Sequence, residues 1–187
     1  YGAMNSGKST NLMQVAYNYE ERGMKVLLIK PSTDKKGGDK LVSRLGVERK
    51  VDLLINDDQN IYNEVKKWQD EKYKIDCILV DEVQFFKAYQ IDQLFEIAVC
   101  LDIPVICYGL RTDFKMQGFE GSTRLLLLAH SIEELKTICK CGKKAILNGR
   151  KINGKFVFEG EQVAIDNIDN VEYESLCGHC YFKFKNQ

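Results

Sequence analysis

A run of eight residues near the start of the chain has the composition of a phosphate-binding loop. The P-loop spacing Gly-x4-Gly-Lys-Ser/Thr is matched by Gly2-Ala3-Met4-Asn5-Ser6-Gly7-Lys8-Ser9. The glycines allow successive backbone amides to converge on phosphate oxygens, and a helix starting at Lys8 would direct its positive end at the same anion. Lys8 would neutralise the β and γ phosphates, and the Ser9 hydroxyl would help to hold Mg²⁺. A chance glycine turn is the alternative, but an amphipathic helix follows at once, so the pattern predicts binding of a nucleoside triphosphate.

Two acidic residues end an apolar strand further along the chain. The strand predicted over Ile75–Val80 leads directly into Asp81 and Glu82. Ligands of open α/β sheets bind beyond the carboxyl ends of the strands, so we expect these acids beside the phosphates. Asp81 suits a role at Mg²⁺, and Glu82 suits a base that accepts a proton from an attacking hydroxyl or orients a water for hydrolysis. Strand ends are often acidic and merely solvated, and it is the P-loop that favours the catalytic interpretation.

Four of the seven cysteines form two close pairs. Cys139-x-Cys141 and Cys177-x2-Cys180 are separated by 35 residues. Four thiolates in two such pairs typically hold a structural Zn²⁺ with no open coordination position, so we expect the metal to stabilise segment 142–176 and to take no part in catalysis. Substitution of one cysteine by His179, an iron–sulfur cluster and uncoordinated thiols are the alternatives. A segment held in this way could serve as a lid over a substrate.

Composition restricts the class of protein. The 187 residues include 27 basic and 27 acidic side chains, and 44% of them are hydrophobic, which is typical of a folded globular chain. The zero net charge argues against nucleic acid or an anionic membrane as a partner held by bulk electrostatics. No apolar run approaches the roughly 18 residues of a membrane span. The remaining thiols, Cys77, Cys100 and Cys107, are predicted to be buried, and with the metal pairs they indicate the reducing cytoplasm.

Alternating helices and strands must position these groups. Helical periodicity is present over 8–22, 60–71 and 89–101, and apolar runs predict strands near 26–29, 51–55, 75–80 and 104–109. Because the strands have almost no polar positions, they indicate a parallel sheet covered on both faces. A further strand is expected before Gly2, and the runs Leu125–Ala129 and Pro104–Tyr108 are predicted to be buried. Segments become short and punctuated by glycine from residue 138, so the predicted domains are 1–137 and 138–187.

These motifs together resemble the cytosolic, tetrameric (type II) thymidine kinase family. The resemblance rests on Gly2–Thr10, Asp81-Glu82-Val83-Gln84-Phe85-Phe86, Tyr108–Phe114, Ile138–Gly142, and Tyr173 with Cys177 and Cys180. It covers nearly the whole chain, with the motifs in the family's order. It implies an α/β fold class: a P-loop (RecA-like) domain with a central parallel sheet, plus a small zinc-binding lid, or lasso, domain.

The resemblance also implies an activity, namely transfer of the ATP γ-phosphate to the 5′-hydroxyl of thymidine or deoxyuridine, with Glu82 as the base. The residues at ATP and Mg²⁺ would be Gly2, Ala3, Met4, Asn5, Ser6, Gly7, Lys8, Ser9, Thr10, Asp81, Glu82, Val83 and Gln84. The nucleoside would contact Met4, Leu110, Phe114, Phe119 and Tyr173, although without the resemblance the sequence favours a core role for the three aromatic residues. Structural Zn²⁺ on Cys139, Cys141, Cys177 and Cys180, a homotetramer and feedback inhibition by dTTP are implied as well.

Two segments depart from the family pattern. The family usually has Asp-x-Arg in the loop after the second strand, whereas this chain has Asp34-Lys35-Lys36. Lysine keeps the charge but lacks the bidentate fork of arginine, so weaker phosphate contacts are expected. In the lid, Ile165-Asp166-Asn167 replaces Ile-Gly-Gly, and Asp166 lies seven residues before Tyr173, two more than in the family. Loss of the glycines is expected to change how closely the backbone approaches the base.

Two other classes of protein remain open at this point. A P-loop ATPase with a zinc ribbon that acts on nucleic acid would share the P-loop and the acidic strand end. It would also need a basic track or exposed stacking aromatics, for which the zero net charge gives no clear support. A non-catalytic nucleotide sensor, suggested by the altered lid, would bind ATP or dTTP without turnover.

Overall fold

A four-stranded parallel sheet lies in one of the two compact units of the chain. The computed structural model describes residues 1–33, 40–42, 46, 48–163 and 170–187. The unit with this sheet, called the sheet unit, comprises Gly7–Gly109 and Glu120–Ile132. The other, called the cysteine unit, comprises Tyr1–Ser6, Leu110–Phe119 and Glu133–Gln187. The domain division at residue 137 stays a prediction.

The sheet unit alternates strands and helices, as expected. Its strands are β1 Val26–Pro31, β2 Lys40–Val42, β3 Glu48–Lys50, β4 Leu53–Ile55, β5 Cys77–Val80 and β6 Val105–Cys107. Its helices are α1 Lys8–Glu20, α2 Ile61–Glu71, α3 Ala88–Cys100 and α4 Glu120–Leu128, and a 3-10 helix spans Val83–Phe85. The parallel sheet has the order β4-β1-β5-β6, while β2 and β3 form a separate antiparallel pair.

The central strands confirm the predicted sheet. Every residue of β1 and β5 is buried, and since successive side chains point to opposite faces, both faces of the sheet are covered there. Ile61 and Val65 of α2 join this core, and the Asn60 side chain caps the helix by accepting from the Asn63 N–H at 2.9 Å. None of the helices in the described part of the chain has the length and apolar character needed to cross a membrane.

Three burial predictions were wrong. The apolar run Leu125–Ala129 falls mostly on α4, a helix that the sequence analysis missed, and Leu127 is 73% exposed. Consecutive residues on a helix point about 100° apart, so a run of leucines cannot all face the core. The run Pro104–Tyr108 is buried only at Tyr108, since Pro104 is exposed and the β6 residues are half-buried against the core, and Cys100, the last residue of α3, is exposed.

The described residues of the cysteine unit form short antiparallel strands and one helix. These elements are β7 Thr137–Ile138, β8 Lys144–Ala145, β9 Leu147–Ile152, β10 Lys155–Val157, β11 Val171–Leu176 and α5 Gly178–Lys185. β9 is the middle strand of the sheet β10-β9-β11. Its core includes Leu147, Leu176 and Tyr181, and Phe156 stacks on Phe184 with ring centroids 4.4 Å apart. β9 therefore runs through the centre of this unit.

Candidate active site and metal centre

The predicted phosphate-binding loop turns sharply before α1. Asn5 has φ 64 and Gly7, the N-cap of α1, has φ 80, so two left-handed residues flank Ser6. Left-handed residues at alternate positions turn successive backbone N–H groups toward one side, as in anion-binding nests. Because Gly7 has no side chain to cap the helix, an anion can take the capping position. The Ser6 hydroxyl is buried without a hydrogen-bond partner in the described structure, which is consistent with a polar ligand there.

Glu82 lies in a strained turn at the end of β5. Asp81 is 3% exposed and its N–H donates to the Ile29 carbonyl at 3.0 Å, which continues the sheet. Glu82 is half-buried and left-handed, with φ 50 and ψ 38. This conformation costs a residue with a β-carbon about 1–2 kcal/mol. Strain of this kind is concentrated at functional sites, so the backbone supports the predicted role of Glu82.

The Glu82 carboxylate is held by Gln84. The buried Gln84 amide donates through Nε2 to Glu82 Oε2, which leaves Oε1 without a hydrogen bond among the described residues. Gly109 permits this arrangement, since a β-carbon there would meet Gln84 Oε1 at 2.6 Å and Val83 Cγ1 at 2.7 Å. The Val83 N–H also donates to the Tyr108 carbonyl at 3.0 Å, which fixes the turn against the end of β6. Glu82 thus presents one oxygen that can accept a proton.

All five residues predicted to contact the nucleoside belong to the cysteine unit: Met4, Leu110, Phe114, Phe119 and Tyr173. Phe114 is 1% exposed and Phe119 is 6% exposed, whereas Tyr173 is half-buried. Tyr173 is therefore the most exposed of the three aromatic residues. Leu110 and Phe119 flank the loop that carries Phe114.

Two buried side chains of β9 connect these residues, and the sequence analysis missed both. Asn148 Oδ1 accepts from the Met4 N–H at 2.8 Å, and its Nδ2 donates to the Thr112 carbonyl at 3.0 Å. The Arg150 guanidinium lies 3.7 Å from the centre of the Phe114 ring. The two residues are two positions apart, which places them on the same face of the strand. The spacing of Asn148 and Arg150 was the signal available in the sequence. However, Asn148 is followed by glycine, and Asn-Gly is typical of turns, so the buried strand was not recognised.

The loop Leu110–Phe119 is organised by Asp113, another buried residue with no predicted role. Its Oδ1 accepts from the N–H groups of Lys115 and Gln117, each at 2.8 Å. Its Oδ2 accepts from the Gln162 side-chain amide at 3.1 Å. A carboxylate that accepts several hydrogen bonds in this way stabilises one loop conformation. The Asp113 carboxylate therefore helps to position Phe114, through bonds within the loop and one bond to Gln162 outside it.

The two cysteine pairs meet at one point. The sulfur atoms of Cys139, Cys141, Cys177 and Cys180 all lie within 4.8 Å of one another. Tetrahedral zinc with Zn–S bonds of about 2.3 Å requires sulfur atoms about 3.8 Å apart, so the cluster can hold a metal ion and is compatible with zinc. The Cys180 N–H donates to the Cys177 sulfur and lowers the pKa of that thiol to about 7, which favours the thiolate that binds metal.

Both departures from the family pattern lie outside the described residues. These are Asp34-Lys35-Lys36, including the position where the family has arginine, and Ile165-Asp166-Asn167 in the lid. Their predicted consequences stay predictions.

Comparison with known proteins identifies the family. The family model described as thymidine kinase matches residues 1–181. The thymidine kinase of Enterobacteria phage T4 is 46% identical over 180 residues, covering 95% of this chain and 90% of the relative. The thymidine kinase of Shewanella oneidensis is 45% identical over 186 residues, covering 98% and 95%. That of Francisella tularensis subsp. holarctica is 43% identical over 182 residues, covering 95% and 91%. The chain therefore belongs to the thymidine kinase family.

Proposed function

We propose that the protein phosphorylates thymidine, and also deoxyuridine, at the 5′-hydroxyl with ATP as the phosphate donor. The product from thymidine is dTMP, so the enzyme serves nucleotide salvage for DNA synthesis. Family membership supports this substrate, since relatives of similar length carry the name thymidine kinase. The observation that carries the assignment of the base is the strained Glu82, which has one carboxylate oxygen bound to Gln84 and one free.

The phosphoryl transfer follows from these residues. The 5′-oxygen attacks the γ-phosphorus, the bond from that phosphorus to the oxygen bridging the β-phosphate breaks, and ADP leaves. Glu82 Oε1 accepts the proton of the 5′-hydroxyl. The loop Gly2–Thr10 binds the phosphates, with Lys8 neutralising their charge. Mg²⁺ would be held by Ser9 and Asp81, and it would offset the charge that develops on the phosphate oxygens, while Val83 and Gln84 complete the nucleotide-binding segment.

The nucleoside would contact Met4, Leu110, Phe114, Phe119 and Tyr173. Tyr173 suits a direct contact because it is half-buried and carries a hydroxyl, whereas the nearly buried Phe114 and Phe119 would define the shape of the pocket. In this proposal the aromatic residues are both core and binding residues.

The metal of the cysteine cluster would be a structural Zn²⁺. The cluster supplies four sulfur ligands and therefore no open position for substrate. Metal analysis of the purified protein should give one zinc per chain, and Cys177→Ser should lose it. Cys100→Ser is the matched control, because Cys100 is exposed and outside the cluster, and it should keep full zinc content. Zinc retained in Cys177→Ser would contradict the proposed ligand set.

The remaining properties are proposed from the family resemblance and from composition. The protein would be a cytoplasmic homotetramer that dTTP inhibits, with neither nucleic acid nor a membrane as partner. Solution scattering tests the tetramer, and a monomer would contradict it. Inhibition by dTTP competitive with ATP would support feedback control.

A coupled assay of ADP release tests the main proposal. The protein is supplied with Mg·ATP and each deoxyribonucleoside in turn, and the product mass is measured. Turnover of thymidine and deoxyuridine alone supports the proposal, and turnover of several nucleosides would show a lid that does not select thymine. ADP release stimulated by single-stranded DNA without phosphorylated nucleoside would favour the nucleic-acid ATPase. ATP or dTTP binding without any turnover would favour the sensor.

A further inference from the structure

Arg150 is a buried cation that contacts several separate segments of the cysteine unit. It is 4% exposed, and its Nε donates to the Tyr173 hydroxyl at 3.1 Å. Its Nη1 and Nη2 donate to the Glu161 and Gln162 carbonyls, each at 2.8 Å. The face of the guanidinium covers the Phe114 ring at 3.7 Å. The described residues therefore surround this charge with neutral acceptors and aromatic rings.

The planar guanidinium makes these contacts interdependent. Its N–H groups point in fixed directions, so the contacts to Tyr173, to Glu161–Gln162 and to the Phe114 ring hold only when all three segments are correctly placed. A buried cation that loses its hydrogen-bond acceptors raises the free energy of the folded protein, which opposes movement of any one segment. Lysine at this position would keep the charge but could satisfy only part of the set.

A second group of contacts joins the same two regions. The Gln162 side-chain amide donates to Asp113 Oδ2 at 3.1 Å, and Lys115 Nζ donates to the Gly160 carbonyl at 2.9 Å. The segment Gly160–Gln162 is thus bound to the loop Leu110–Phe119 directly, through Gly160 and Gln162, as well as through Arg150. Arg150 is the buried member of this set, because Lys115 contacts Gly160 at the exposed surface.

We infer that Arg150 is a positioning residue, which holds the segment Gly160–Gln162 against the loop Leu110–Phe119 and sets the orientation of Phe114 and Tyr173 for the nucleoside. The part that concerns the nucleoside rests on the proposed function. Arg150 acts through its neighbours, so its loss should weaken nucleoside binding and leave ATP binding and the chemical step nearly unchanged.

The experiment compares Arg150→Lys and Arg150→Met with the control Lys151→Gln. Lys151 follows on the same strand, points to its other face and pairs with Glu174 at 2.5 Å. Amide hydrogen exchange is first measured without ligand. Both Arg150 variants should exchange faster than the wild type at residues 160–163 and 113–118, and Lys151→Gln should not.

Steady-state kinetics then follow on the same proteins. The KM for thymidine should rise about tenfold in the Arg150 variants, the effect of losing one or two net hydrogen bonds. The kcat and the KM for ATP should stay within about twofold of the wild-type values, because the substitution weakens nucleoside binding and leaves the chemical step unchanged. If both Arg150 variants fail to fold, Tyr173→Phe, which removes one acceptor of Arg150, is compared with the wild type by amide exchange alone, because its hydroxyl is also proposed to contact the nucleoside. Exchange at residues 160–163 should then rise by less than a full loss of Arg150 would cause, and unchanged exchange would contradict the inference.

Different results would contradict the two parts of this inference, the local contacts of Arg150 and their effect on nucleoside binding. Unchanged exchange in folded Arg150→Lys would overturn the inference, whatever the enzyme phosphorylates. Faster exchange with an unchanged KM for thymidine would overturn the part that concerns the nucleoside. A wild-type protein without nucleoside turnover would overturn the proposed function, and the exchange comparison would still decide whether Arg150 holds the two segments together.

Discussion

The Tyr181 hydroxyl donates a hydrogen bond of 2.7 Å to the backbone carbonyl of Phe114. Tyr181 is completely buried and follows Cys180 directly in the chain, so one bond joins the cysteine cluster to the loop that carries Phe114. Burial, together with the charge of Asp113, raises the pKa of the Tyr181 hydroxyl, and the group stays a donor at neutral pH. Metal binding at the cysteines can therefore stabilise this loop.

Removal of this hydroxyl should destabilise the protein. Tyr181→Phe keeps the ring but leaves the buried Phe114 carbonyl without its partner, which costs about 1–3 kcal/mol in free energy of unfolding. Urea unfolding of the zinc-loaded protein measures this change in the free energy of unfolding. Tyr17→Phe is the matched control, because Tyr17 is 60% exposed and its substitution should change stability by less than about 0.5 kcal/mol. Equal stability of the two variants would show that the bond contributes nothing.

The three cysteines outside the cluster should differ in reactivity. Burial raises the pKa of the Cys77 thiol to about 11 and that of Cys107 to about 12, so almost none of either is thiolate at pH 8. Cys100 is exposed at the end of α3. In the native protein, a thiol reagent at pH 8 should label Cys100 quickly, the half-buried Cys107 slowly, and the fully buried Cys77 only after unfolding, as read by peptide mass. Rapid labelling of Cys77 in the folded protein would contradict this.

The raised pKa of Cys77 also has a consequence for stability. In the unfolded chain this thiol ionises near its ordinary pKa of 9.0, whereas in the folded chain it stays neutral to about pH 11. Its contribution is therefore fully present below pH 9 and is lost as the pH rises toward 11. Over this range, urea unfolding of the wild type should lose more stability than that of Cys77→Ala.

Local signals predicted much of this fold, and long-range contacts explain what was missed. β1, β5 and α2 could be predicted because apolar runs and a helical period appear within a few residues. The P-loop and the cysteine pairs are short motifs whose spacing carries the chemistry. Arg150 gave only the weak signal of its spacing from Asn148, because its partners Phe114 and Tyr173 are distant in sequence and only the folded chain brings them together.

Gly109 should be intolerant of a side chain. In Gly109→Ala the new β-carbon would meet Gln84 Oε1 at 2.6 Å and would displace the amide that holds Glu82. We expect kcat for thymidine to fall about tenfold with a smaller change in KM, together with a loss of about 1–3 kcal/mol in stability from overpacking. Gly178→Ala is the control, since nothing lies within 4 Å of its added carbon. An unchanged kcat in Gly109→Ala would show that Gln84 does not position the base.

Glu82→Gln tests the base itself. The substitution keeps the shape and the left-handed turn but replaces the proton acceptor by an amide, so kcat should fall by about 10²–10⁴, the usual contribution of general base catalysis. The KM for ATP and the unfolding free energy should stay close to the wild type, because Glu82 is only half-buried and its backbone is unchanged. Glu96→Gln, an exposed glutamate on α3, should keep full activity. Full activity in Glu82→Gln would require another base and would remove the reason for the strained turn, whereas loss of activity with unchanged ATP binding would assign the proton transfer to Glu82.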